Sequence, residues 1–244
     1  MLGLVAGGSP SLVAAPGRLT RSLGRRMSLA RYPEWLTHVF DHEVTEPNWF
    51  FDVDEPEFRA SDRELAELFS ITMKNSGRDL CRYSDAQVDQ GLNYIFSNSC
   101  SNFTFSILDG EIEVELKVAA LRSIQTLYTD CFEVRCSPTL SHLDEPGSRL
   151  NHMCYMLWDL TPLNYWEGRP ERTEAYSAIV DVMEAGLASH NLACVEGALH
   201  GLGHTFPYLP ERIGPLIARY IARNPSVRPE LLRYARNAAV GHVL

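Results

Sequence analysis

Apolar positions recur along this chain at helical spacing far more often than at strand spacing. From Glu211 to Arg223, residues Ile213, Leu216, Ile217, Tyr220 and Ile221 fall at i, i+3, i+4, i+7 and i+8, the stripe of a helix that faces a core. Ile112, Leu116, Ala119, Ala120 and Ile124 repeat in the same way and predict one long helix over 111–134. Ser61-Asp62-Arg63-Glu64 and Ser84-Asp85-Ala86-Gln87 match capping boxes, in which a serine hydroxyl and the fourth side chain satisfy orphan first-turn amides. They predict helices near 62–75 and 85–97. Five more are expected near 148–160, 171–188, 191–206, 210–223 and 229–242, separated by short connections carrying Pro162, Gly168, Pro170, Pro207, Pro210 and Pro225. Short connections imply antiparallel helix pairs. One stretch alternates instead: in Asn102 to Leu108, Phe103, Phe105 and Ile107 are separated by polar residues, which predicts a short strand.

The last helix pairs also repeat. A shift of 38 residues places Ile179 on Ile217, Met183 on Ile221, Leu202 on Val240, Gly203 on Gly241 and His204 on His242. Two helices per period of about 40 residues mark an α-solenoid, whose pairs bury their apolar faces against one another. On these residues, and on the phrase ALHGLGH followed by an arginine-rich helix pair, the segment from about 150 to 244 resembles HEAT-like repeat proteins of an uncharacterised bacterial type. The resemblance implies an all-α fold, an α-α superhelix of antiparallel pairs, with a less regular helical region before it. The expected organisation is a single domain over 27–244. Residues 1–26, rich in Gly, Ala, Ser, Leu and Arg and without sustained periodicity, are expected to stay outside the mature fold.

Composition narrows the class. Hydrophobic residues make up 45% and charged residues 22% of 244 positions, which suits a globular chain with a substantial core and argues against wholesale disorder. No window holds the roughly 18 consecutive apolar residues of a membrane span. The six cysteines are dispersed without a CxxC pair, so they read as small buried hydrophobes in a reducing, cytoplasmic setting. The net charge of -9 is uneven: residues 34–64 carry ten acids against Arg59 and Arg63, whereas Glu211 onward carries six arginines against two acids. Those arginines fall on the polar sides of amphipathic helices without interleaved aromatics, which argues against nucleic acid as a partner.

Candidate chemistry concentrates in one helix. Glu196, His200 and His204 lie at i, i+4 and i+8 and form a candidate ligand set for zinc or iron, with His190 or His152 as a completing ligand from another element. Two features favour an architectural role for the same histidines. His204 recurs as His242 beside a helix C-terminus, where an imidazole can bond unpaired carbonyls. The glycines of this helix imply that a neighbouring helix approaches closely. A di-iron hydroxylase built of HEAT-like repeats uses paired His-Glu dipeptides, and here only His42-Glu43 has that form. No phosphate loop, nucleophile elbow, dinucleotide fingerprint or HExxH motif is present, and no cofactor is called for. The aromatics Trp49, Phe50, Trp158, Tyr165 and Trp166 belong to a residue class enriched in interaction hot spots. The expected function is therefore a non-enzymatic helical-repeat scaffold that binds another protein, with a metal-dependent role for the HGLGH helix as the alternative.

Overall fold

The computed structural model describes residues 16–243, with side chains from Ser28 onward. Every regular element among them is helical: α1 (Pro16–Phe40), α2 (Asp62–Lys74), α3 (Ser76–Asp79), α4 (Asp85–Phe96), α5 (Phe103–Leu108), α6 (Val114–Thr126), α7 (Glu133–Arg135), α8 (Leu150–Leu160), α9 (Arg172–Gly186), α10 (Leu192–Thr205), α11 (Pro210–Arg223) and α12 (Pro229–Ala238). The helices pack as two rows. In one, α2 lies between α1 and α6, and α6 packs on α9; in the other, α4, α8, α10 and α12 follow one another, and α9 joins the rows by packing on α10. No helix of the described residues is long and apolar enough to cross a membrane.

The helix starts are where their capping chemistry places them. Ser61 Oγ accepts from the Glu64 amide at 3.3 Å, and Ser84 and Gln87 complete a reciprocal capping box at the start of α4. Pro210 and Pro229 open α11 and α12, in the first turn where a missing N–H has no intrahelical partner anyway.

Two expectations change. The alternating stretch after Asn102 is the helix α5, not a strand: Thr104, Ser106, Ile107 and Leu108 are all buried, so the segment has no solvent face for its polar residues, and tertiary packing overrides the period-two pattern. The expected helix over 111–134 starts at Val114 and passes through a π-helical turn at Leu127–Phe132, which buries Leu127, Tyr128, Cys131 and Phe132 together. For residues 1–26, positions 1–15 lie outside the described residues, while from Pro16 the backbone is helical.

The 38-residue repeat also loses its register. Ile179 and Ile217 are both buried, but Leu202 is fully buried where its counterpart Val240 is 54% exposed. The cause is a Schellman motif. Gly241 takes a φ of 74°, its amide bonds the Ala238 carbonyl at 3.1 Å, and the His242 amide bonds the Asn237 carbonyl at 3.0 Å. This ends the helix before His242, which is exposed on the turn, whereas His204 sits inside α10.

A single apolar core runs from Trp35 to Val243, and Cys131, Cys136, Cys154 and Cys194 lie within it as free thiols. Cys81 is exposed and Cys100 half-buried. At the N-terminal end the acidic loop after α1 folds back, so that Trp49 stacks on His42 at 3.9 Å and packs edge-on to Tyr94 at 4.5 Å. His38 lies among these rings, edge-on to Trp49 and 3.2 Å from the Tyr94 hydroxyl. Burial, reinforced by neighbouring His42 and opposed by Glu34, pushes the His38 pKa down to about 4.

That shift makes a pH-dependent contribution to stability. A histidine with a depressed folded pKa binds fewer protons folded than unfolded, so its contribution is complete above the unfolded value near 6.5 and is lost as pH falls towards 4. With the exposed edge of the ring discounted for solvent screening, the loss is on the order of 1–2 kcal/mol. Urea denaturation at pH 7 and at pH 4.5 should show the wild type losing about that much more stability than His38→Phe; equal losses would show that His38 does not titrate on unfolding.

Candidate metal centre

The geometry of α10 decides which of its polar residues can meet. His200 and His204 are four residues apart and share a face, with Nε2 atoms 3.0 Å from each other. Glu196 is a further turn away. Eight residues of helix rise about 12 Å, so a single ion cannot be reached by Glu196 and His204 together. The Glu196 carboxylate is fully buried and engaged elsewhere, accepting from the Ser141 amide at 2.7 Å, the His142 amide at 3.0 Å and the His142 ring Nδ1. The expected trio is corrected on this point: Glu196 anchors the loop before α8 and is not available as a ligand.

A different carboxylate takes its place. Asp159, in the last turn of α8, sets Oδ1 3.4 Å from His204 Nε2, and the ligand atoms of Asp159, His200 and His204 all lie within 4.8 Å of one another. Two ligands on one ion at 2.0–2.1 Å, 90–110° apart, are themselves separated by about 2.9–3.4 Å. Both short separations fall in that range. His152 and His190, the other proposed ligands, are exposed and do not join this group.

The glycines position the carboxylate. A Cβ on Gly197 would overlap the Cys154 carbonyl, and one on Gly201 would overlap the Trp158 ring. Their absence lets α8 lie against the face of α10 that carries the histidines, which brings Asp159, one residue beyond Trp158, alongside His204. The close helix approach implied by the glycines and the ligand set are one feature.

Around these three side chains the environment is graded. His200 is 1% exposed, and burial first, then His204, lowers its pKa to about 3, so its imidazole is neutral and a lone pair is available. Its Nδ1 lies 2.6 Å from the Tyr234 hydroxyl, which is 3.1 Å from that of Tyr155. With Nε2 as the ligand atom, Nδ1–H donates to Tyr234, the outer-shell bond that fixes tautomer and ring orientation. His142 stacks on Tyr234 at 4.5 Å, so the Glu196 anchor supports this tyrosine from behind. The loop itself is held by Arg228, whose guanidinium makes two bonds to Glu145 at 2.6 and 2.9 Å. That pairing, with the Leu140 amide, pulls the Glu145 pKa down to about 2. Towards Asp159 the site opens to solvent, since His204 is half-buried and Asp159 exposed.

No family model matches this chain, and no curated protein or solved structure matches it either.

The expected aromatic interaction surface is not formed. Trp158 and Trp166 are fully buried, Trp49 nearly so, and the Trp166 indole donates to the Leu163 carbonyl at 2.7 Å inside the core. Phe50 is half-buried, and Tyr165 alone of the five is freely exposed, at 52%. Asp159 and His142 were not singled out in the sequence. A signal for Asp159 existed: a carboxylate in the last turn of a helix faces the negative end of the macrodipole, an arrangement unfavourable by roughly 0.3–1 kcal/mol. His142 lies 54 residues from Glu196, and nothing local marks it.

Proposed function

We propose that this protein binds one divalent first-row metal ion, zinc or iron(II), through His200, His204 and Asp159, with HEAT-like helix pairs as the rigid support. The observation that carries this reading is the convergence of three ligand atoms from α8 and α10 within 4.8 Å of one another, with His204 at ligand-to-ligand spacing from both His200 and Asp159. Two imidazoles and one carboxylate suit both ions, and a three-residue set open on one side leaves positions for water or a substrate, as in catalytic and not structural sites. The preparation of the site supports it further: a neutral buried imidazole held by a tyrosine pair is oriented for a cation before the cation arrives. A protein-binding scaffold is supported less, because the tryptophans that would have formed its contact surface are in the core.

Elemental analysis and competitive titration with zinc and iron(II) test the reading. One equivalent of metal per chain is expected in the wild type, and none in His200→Ala/His204→Ala. Loss of an outer-shell partner typically costs 10–100-fold in affinity, so loss of a ligand is expected to exceed about 100-fold. Asp159→Asn, at an exposed position, should weaken metal binding while leaving the melting temperature of the apo-protein unchanged. A wild type that binds neither ion, or binding indifferent to Asp159→Asn, overturns the proposal.

A further inference from the structure

The seat of helix α12 is built from the same two helices that carry the proposed metal ligands. α12 packs chiefly on α10 and α11; it buries Leu231, Tyr234, Ala235 and Ala238 and turns Arg233, Arg236 and Asn237 to solvent. Tyr234 brings the one hydroxyl among the buried four. That hydroxyl lies 2.6 Å from His200 Nδ1 on α10 and 3.1 Å from the Tyr155 hydroxyl on α8, so it meets both helices at once. Beyond α12 the chain stays on α10. Val243 fills the space above Gly203, where a Cβ would overlap its methyl groups, and Gly203 lies between His200 and His204 in the sequence.

An ion held by His200, His204 and Asp159 acts on this seat in two ways. It ties α8 to α10, and so fixes in advance the spacing of Tyr155 and His200 that Tyr234 has to match. It also occupies Nε2 of His200. The proton is then on Nδ1, and the chain of hydrogen bonds runs in one direction, from His200 to Tyr234 and from Tyr234 to Tyr155. In the empty site one of the two Nε2 atoms, 3.0 Å apart, donates to the other, and the tautomer of His200 depends on which. Tyr234 meets a donor in one tautomer and an acceptor in the other. A ligand that favours one arrangement of α12 is favoured by that arrangement in return, by the same factor.

We infer that α12 is a metal-responsive element: the occupied site tightens the docking of α12 through Tyr234, and docked α12 tightens the hold on the ion. The inference rests on the metal-binding reading above and adds to it the part of the fold that responds.

Amide hydrogen exchange of the full chain, followed by mass spectrometry without metal and with saturating zinc or anaerobic iron(II), tests it when bound metal is measured in the same samples. For amides that exchange by opening of α12, the slowing in excess metal equals the ratio of metal affinities of the docked and undocked states. Slowing of about tenfold or more is expected over residues 231–238, the range of effects seen when an outer-shell partner is removed. Tyr234→Phe keeps the ring in the core and removes only the hydroxyl. It should still take up one equivalent, about tenfold more weakly, and lose most of the slowing in α12. A wild type that holds one equivalent while α12 exchanges at its metal-free rate overturns the inference and leaves the metal reading standing. Full slowing retained in Tyr234→Phe does the same. Uptake of neither ion by the wild type overturns the metal reading and this inference with it.

Discussion

Replacing Glu196 by alanine should destabilise the protein by about 3–5 kcal/mol, the combined effect of several donors left without their acceptor and of a cavity. The side chain is fully buried and accepts from two backbone amides and one imidazole, all belonging to Ser141 and His142. Truncation leaves those partly buried donors without their acceptor, each at a cost of up to roughly 1–3 kcal/mol, and adds a cavity. Thermal melting should register it as a fall of roughly 2–4 °C for each kcal/mol lost, given the size of the chain. Amide exchange should locate it, with Ser141 and His142 losing protection ahead of the helices. Glu196→Gln keeps the length and one strong acceptor, so it should recover part of the loss. Metal affinity should fall in both variants, because His142 stacks on Tyr234 and Tyr234 orients His200. If the alanine variant melted like the wild type with Ser141 and His142 still protected, the carboxylate would not be the anchor of this loop.

Gly197→Ala should be nearly as damaging, with a sign opposite to helix propensity. In an isolated helix the substitution is favourable by about 1 kcal/mol. Here the added Cβ would occupy the same space as the Cys154 carbonyl, a backbone atom of α8 that cannot rotate away. The two helices must separate, and the cost is expected to be about 3 kcal/mol, at the upper end of overpacking effects. Separation also displaces Asp159 from His204, so metal affinity should drop along with stability. Gly214 is the matched control: its Cβ would meet nothing closer than 3.9 Å, so Gly214→Ala should be neutral or stabilising in chemical denaturation. Equal behaviour of Gly197→Ala and Gly214→Ala would contradict the close helix approach on which the proposed metal site depends.

The places where sequence reasoning and structure part are specific. The period-two pattern of Phe103, Phe105 and Ile107 points to a strand, yet α5 buries its polar Thr104 and Ser106 as well, so a periodicity argument that assumes one wet face has nothing to act on. The likeness of His204 to His242 survives in the letters but not in space, because α12 ends at Ala238 and Gly241 turns the chain before His242 is reached. Aromatic residues were expected to mark a contact surface, and most of them fill the core.

What the sequence by itself determined is therefore local. Helical spacing of apolar residues, serine capping boxes and proline at first turns are written within a few neighbouring positions, and they place most helices to within two or three residues. The i, i+4 histidines and the glycines beside them were legible for the same reason. Only the tertiary structure decided that Asp159 and not Glu196 stands with them, and that His142 and Tyr234 stand behind. The reason is geometric: a metal centre requires atoms within a few ångströms, while eight residues along one helix already separate Glu196 from His204 by about 12 Å. A ligand from a second helix, 41 residues before His200 and 45 before His204, is brought to that distance by packing of α8 on α10, which no local pattern encodes.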